Sequence, residues 1–255
     1  MVHVLNIKVA LMDSDIYALQ AINSYLAWDR RTRVVARFDS PERFQGWLDE
    51  APEAELPDVT LYEVDWPPDL DTLSAALRRL GGRAGKVVCM SARANRDRIL
   101  AASQTGAAGY LVKSDVRIGI GGAVVQAAHH PHVISASAAE ALGDNPEAAF
   151  PQAEVLAGLR HYPGLTERVE QALRLCVIEG MPADLAADEM GVSPHTVRSY
   201  VKEGYRILEA HDDTQFPVFM SPQERAFMRF TALEGEEEET WPENQTPGLA
   251  GHRRP

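Results

Sequence analysis

The chain of 255 residues contains no run of eighteen apolar residues, so no segment reads as a membrane-spanning helix. Its opening stretch, MVHVLNIKVALMDSD, reaches acidic residues too soon for a signal peptide. Cysteine is scarce: Cys89 and Cys176 lie far apart in the apolar strings VVCM and RLCVIEG. That usage fits two buried thiols in a reduced cytoplasm better than a disulfide framework or a metal site. Positive charge is also short, 25 basic residues against 37 acidic, a net charge of −12. A broad surface that coats nucleic acid is thereby disfavoured. The apolar fraction of 45% permits a packed core, and the length suggests two domains with a linker.

The acidity is unevenly placed. Residues 1–142 carry 15 basic and 17 acidic side chains, whereas residues 212–255 carry 4 and 9. The run EGEEEE at 234–239 opens an expected acidic, disordered tail over 234–255. From residue 7 onward, strand and helix patterns alternate. IKVALM (7–12), RVVARF (33–38), DVTLYEV (58–64), KVVCMS (86–91) and AGYLVK (108–113) are short apolar strands. Between them, residues 16–28, 41–50, 72–80 and 97–106 show helical spacing, followed by a weaker helix at 118–128. Five such units predict a parallel sheet covered on both faces, a flavodoxin-like doubly wound α/β domain over residues 1–142. GIGG at 119–122 lacks P-loop spacing, and its glycines cost a helix roughly 1 kcal/mol each. The last helix is therefore expected to be short or closely packed against something. HHPH (129–132) reads as a loop rather than a metal site.

In such a sheet the site lies at the carboxyl ends of the strands, where Asp13, Glu63, Ser91 and Lys113 all fall. A carboxylate at the end of a buried strand must be paired, hydrated or functional. This constellation resembles a response-regulator receiver domain, over roughly residues 6–140. The resemblance implies an acidic pair after the first strand, a phosphoacceptor Asp after the third, a hydroxyl after the fourth and a Lys after the fifth. Asp13, Ser91 and Lys113 match these positions, and Tyr110 matches the aromatic switch residue. Pro67, four residues after Glu63, places Glu63 rather than Asp65 at the acceptor position. Ser14 stands where the second acid is usual, with Asp15 one place further on. Phosphoryl transfer depends on positioning and charge neutralisation, and Mg²⁺ tolerates misplaced ligands poorly. The expectation is that no ordinary aspartyl-phosphate switch operates. Glu63 is then a built-in mimic of the active state or one partner of a Glu63–Lys113 ion pair, with phosphorylation on Asp65 as the remaining alternative.

Pro- and Gly-punctuated residues 143–164 read as a linker, followed by a helical domain over 165–233. Leu165, Val169, Ala172, Leu173 and Cys176 form an apolar stripe. A short helix near 183–190 ends at Gly191, and Ser193-Pro194 start another, which together make a helix-turn-helix signature. Arg198, Lys202 and Arg206 recur every four residues beside a core stripe of Val197, Val201, Tyr205 and Leu208. These are three of five basic residues in 165–211, against eight acidic ones, and one cationic stripe is what a groove-reading helix requires. The segment resembles the DNA-binding domain of LuxR/NarL-type regulators, while the span from Leu165 to Gly180 matches sigma-factor region four in length. The resemblance implies that Arg198, Ser199 and Lys202 approach base edges. It further implies that Ser193, Thr196 and Tyr200 hold phosphates and that Arg206 reaches the backbone. FPVFMSPQERAFMRFTALE (216–234) holds four of the seven Phe and is expected to close the small domain or to form a subunit interface.

The whole reads as a cytoplasmic transcriptional regulator, an atypical response regulator that binds double-stranded DNA as a homodimer. It is not expected to be an enzyme, to carry a cofactor or metal, or to touch a membrane. The alternative is a protein-interaction regulator of the transcription machinery, contacting RNA polymerase or a regulatory protein in a sigma-like or anti-sigma-like manner rather than DNA.

Overall fold

The structure, a computed structural model, describes residues 6–67, 69–143 and 145–234. The expected acidic tail falls, from residue 235 on, outside the described residues. The α/β part runs β1 (Ile7–Met12), α1 (Ile16–Trp28), β2 (Thr32–Phe38), α2 (Pro41–Glu50), β3 (Val59–Glu63), α3 (Leu70–Leu80), β4 (Lys86–Ser91), α4 (Arg96–Gln104) and β5 (Gly109–Val112). A one-turn α5 (Lys113–Val116), α6 (Ile120–His129), β6 (His132–Ser135), α7 (Ala136–Leu142) and β7 (Ala153–Leu156) complete it. All strands are parallel, in the order β2-β1-β3-β4-β5-β6-β7.

Alternating side chains feed two cores, as a pleated strand requires. Leu11, Leu61, Met90 and Leu111 face α1 and α6, whereas Met12, Tyr62, Cys89 and Tyr110 face the opposite layer with Phe44, Leu73 and Ile99. The doubly wound fold read from the sequence is present, but the sheet has seven strands instead of five. Two reasons account for the extra pair. Pro131 immediately precedes β6, a place where a strand tolerates proline, so HHPH ends a helix and starts a strand rather than forming a loop. β7 is an outer strand with Glu154 and Val155 exposed, so it lacks an apolar run, and it lies inside the stretch read as linker.

Two of the three glycines at the start of α6, Gly119 and Gly121, are explained by close approach. A Cβ on Gly121 would fall 2.1 Å from Asp29 Oδ2, and one on Gly119 would meet Leu233 and Leu159 at 2.7 and 2.8 Å. Asp29 is the buried partner of Arg31 at 2.9 Å, so α6 seats directly on that ion pair.

The second part is all-helical: α8 (Glu167–Leu173), wound on through a π-turn at Arg174–Ile178, α9 (Ala183–Met190), α10 (Pro194–Ala210) and α11 (Pro222–Phe230). Thr166 caps α8, Ser193 caps α10, and Ser221 with Glu224 forms a full capping box on α11. Gly191 ends α9 in the left-handed conformation that a turn into α10 needs. The core stripe of α10 includes Gly204 and Ile207 as well as Val197 and Leu208. A Cβ on Gly204 would sit 2.7 Å from Leu173, so this glycine sets the α8–α10 distance.

The Phe-rich segment closes inward and also bridges the two parts. Phe227 is buried among Val169, Leu173 and Leu208, and Phe216 stacks under the Arg229 guanidinium at 4.8 Å. Trp28 of α1 meets Phe227 at 6.0 Å, and Arg30 pairs with Glu224. That pairing, with the Ser221 amide, holds the Glu224 carboxylate down at about 2. Beyond α11 the chain returns to the α/β part. Arg160 N donates to Ala232 O at 2.8 Å, Glu234 N donates to Gly158 O at 2.8 Å, and Leu233 enters the α1–α6 core.

Gly204→Ala should lower the melting temperature despite alanine's better helix propensity, because overpacking costs about 1–3 kcal/mol. Gly46→Ala, in the interior of α2 with nothing within 4 Å of the new methyl, should raise stability by up to about 1 kcal/mol. Thermal denaturation of both variants checks the contrast; an equal gain in both would remove the packing role given to Gly204.

Candidate functional site

Two sites emerge, one at the carboxyl ends of the strands and one on α10. At the first, Asp13 follows β1, Glu63 and Ser91 end β3 and β4, and Lys113 follows β5, so parallel pairing gathers all four. Asp13 is fully buried and pairs with Lys113 Nζ at 2.6 Å. Burial raises its pKa above the ordinary carboxylate value, against the lowering effect of the nearby ammonium. The Asp15 amide donates to Asp13 Oδ1 at 3.0 Å, while the Asp15 carboxylate turns away to cap α1 through the Tyr17 and Ala18 amides.

Glu63 does not pair with Lys113, as one expectation had it. Its Oε1 accepts from the Asp65 amide and, at 3.1 Å, from the Trp66 amide, and its Oε2 accepts from the Ser14 hydroxyl at 2.8 Å. The extra methylene lets the side chain fold back over its own turn, and Asp13 is left to hold the ammonium. Nor does the Glu63 carboxylate reach toward Ser91. That place belongs to Asp65, whose Oδ1 meets the Ser91 hydroxyl and whose Oδ2 accepts from the Ala92 amide at 2.7 Å. Arg98 fixes the turn from the side by donating to Val64 O at 2.5 Å and Pro67 O at 3.0 Å. Tyr110 is buried beneath, its phenol pushed up to about 12 chiefly by burial.

Each of the three carboxylates thus already has internal donors. The donor set suits a divalent cation poorly. One Asp13 oxygen is held by Lys113 and the other by an amide, and Ser14 supplies a hydroxyl where a second acid would be needed.

On α10 the structure separates the residues expected to face DNA. Arg198, Ser199, Lys202 and Arg206 are exposed on adjoining turns. Arg198 pairs with Asp184 of α9 at 3.2 Å and Arg206 with Glu203 at 2.6 Å, whereas Lys202 has no carboxylate partner among the described residues. The Ser199 hydroxyl donates to His195 O at 3.1 Å. Ser193 is the helix cap, bonded to the Thr196 amide at 3.1 Å and to the Thr196 hydroxyl at 2.9 Å. Tyr200 is half-buried, its ring packed against both helical cores. Asp184 and Glu203 were not singled out from the sequence. Glu203 was legible at i−3 from Arg206, but Asp184 lies on another helix and needed the fold.

A family model described as sigma-70, region 4 matches residues 163–208. No curated protein matches the chain. Among solved structures, the signal receiver domain of the response regulator NarL from Mycobacterium tuberculosis is 26% identical, at a TM-score of 0.41. The match covers 49% of this chain and 97% of that one. The RcsB response regulator of Salmonella typhimurium is 16% identical over 80% of this chain and 93% of that one, TM-score 0.47. The response regulator ChrA of a heme-sensing two-component system is 20% identical over 88% and 96%, TM-score 0.41.

Asp65→Ala should speed amide hydrogen exchange at Ala92 and lower stability by about 1–2 kcal/mol, through loss of a charged acceptor shared by two donors. Unchanged exchange at Ala92 would show that Asp65 does not hold this loop.

Proposed function

We propose that the chain is a DNA-binding transcriptional regulator that docks α10 in the major groove as a dimer, without a conventional aspartyl-phosphorylation cycle. The observation that carries the reading is the exposed stripe Arg198, Lys202 and Arg206 on a capped helix entered through a left-handed turn at Gly191. The match of residues 163–208 to sigma-70 region 4 supports the same segment as the contact surface. Ser199 with Arg198 and Lys202 addresses base edges, Arg206 the backbone, and the Ser193–Thr196 cap a phosphate at the helix N-terminus. One such helix on an acidic chain binds weakly, so two half-sites and a homodimer are needed. Independence from phosphorylation is supported by the internal occupation of Glu63 and Asp65.

A second reading, contact with the transcription machinery, is favoured by exposed Leu185 on α9 and by Val218 and Phe219 on the loop before α11, 90% and 73% exposed.

The two ion pairs on the stripe compete with phosphate for Arg198 and Arg206. Lys202→Ala should therefore weaken duplex binding at every sequence and reduce the salt slope by about 1. Asp184→Asn should tighten binding several-fold by freeing Arg198. Fluorescence anisotropy across a salt series reads both; a flat salt response in the parent chain, or no change in either variant, contradicts groove docking.

A further inference from the structure

Beside the strand-end site, with which it shares Lys113, a cavity of about 210 Å³ opens between α1 and the α5–α6 corner. Met90 and Leu111 line it from the ends of β4 and β5, and α1 adds Ala18, Ala21, Ile22 and Tyr25. Ala18 and Ala21 are small where the neighbouring turns of α1 carry large apolar residues, and this shortage of side-chain volume leaves the space. Two residues of the lining are charged, Lys113 and Arg117, both cationic; none is acidic.

Arg117 is held in an unusual way. Its φ is +44°, a conformation that costs a non-glycine residue of order 1–3 kcal/mol. Its Nε donates to Ser114 O at 3.1 Å. Gln152, immediately before β7, is the other non-glycine residue with positive φ among the described residues; at Arg117 the strain falls on the residue that brings a cation to an apolar cavity, and glycine would relieve it. Lys113 uses one bond on Asp13, and an ammonium has three donors, so it can serve a second carboxylate at the same time.

We propose that this cavity binds a small monocarboxylate with a flexible, medium-length hydrocarbon chain, the carboxylate held by Arg117 and Lys113 and the hydrocarbon against Met90, Leu111 and Ile22. The cavity is below the roughly 300–1,000 Å³ of drug-sized sites, which sets the size of the ligand. Its position also fixes what binding reaches. Lys113 connects the cavity to Asp13, and Tyr25 and Ile118, both in the lining, pack against the helical domain. The site stands independently of the DNA-binding reading, because it is tested without DNA.

The test is isothermal titration of octanoate into the full chain. Saturable one-to-one binding is expected, with octanol, which keeps the hydrocarbon and lacks the charge, weaker by about tenfold or more. Arg117→Gly should weaken octanoate binding about tenfold or more while leaving the melting temperature unchanged or higher. Ala21→Leu, an exposed position at the cavity, should abolish binding and leave the fold intact. No saturable binding to the parent chain, equal binding by octanol, or undiminished binding in either variant would overturn the proposal.

Discussion

A charge buried at the end of a central strand must be neutralised where it stands, and the Asp13–Lys113 contact meets that demand here. β1 and β5 are not neighbours in the sheet; the pair spans β3 and β4 and ties its carboxyl edge together. The other carboxylates draw their donors from elsewhere. Glu63 takes two amides and the Ser14 hydroxyl, and Asp65 takes Ser91 and the Ala92 amide. The result is a pocket in which the Ser91 hydroxyl and the Ala92 amide are both turned onto an internal carboxylate.

The same economy of contacts appears between the two parts. α11 completes the helical core through Phe227 and also presents Glu224 and Phe227 to Arg30 and Trp28 of the α/β part. Leu233 then enters the α1–α6 core beside Gly119, where a side chain on the glycine would exclude it. The exposed stripe of α10 lies outside these contacts, so the packing of the two parts leaves its cations accessible.

Much of the fold was legible in the sequence because a parallel sheet buried on both faces leaves near-continuous apolar runs. β1 and β4 coincide with theirs, as α1 and α2 do with their helical patterns. β6 and β7 escaped because one follows a proline and the other has an exposed edge, so neither shows the period of a buried strand. The members of the first site were readable from their places at strand ends, but their partners were not. Glu63 folds back over its own turn rather than across the pocket, and periodicity carries no information about that choice. On α10 the spacing identified the cations, while the Asp184 that restrains Arg198 became visible only when α9 was placed beside it. Tyr200 shows the opposite limit, since a half-buried aromatic ring serves packing as readily as contact.

Under the function proposed above, the chain reads DNA without modification, its strand-end donors filled from within. Selection of random duplex DNA by the purified full chain, once untreated and once after acetyl phosphate, tests it most directly. One two-fold motif, enriched equally in both, is expected. Enrichment confined to the treated protein, or none in either, would contradict it.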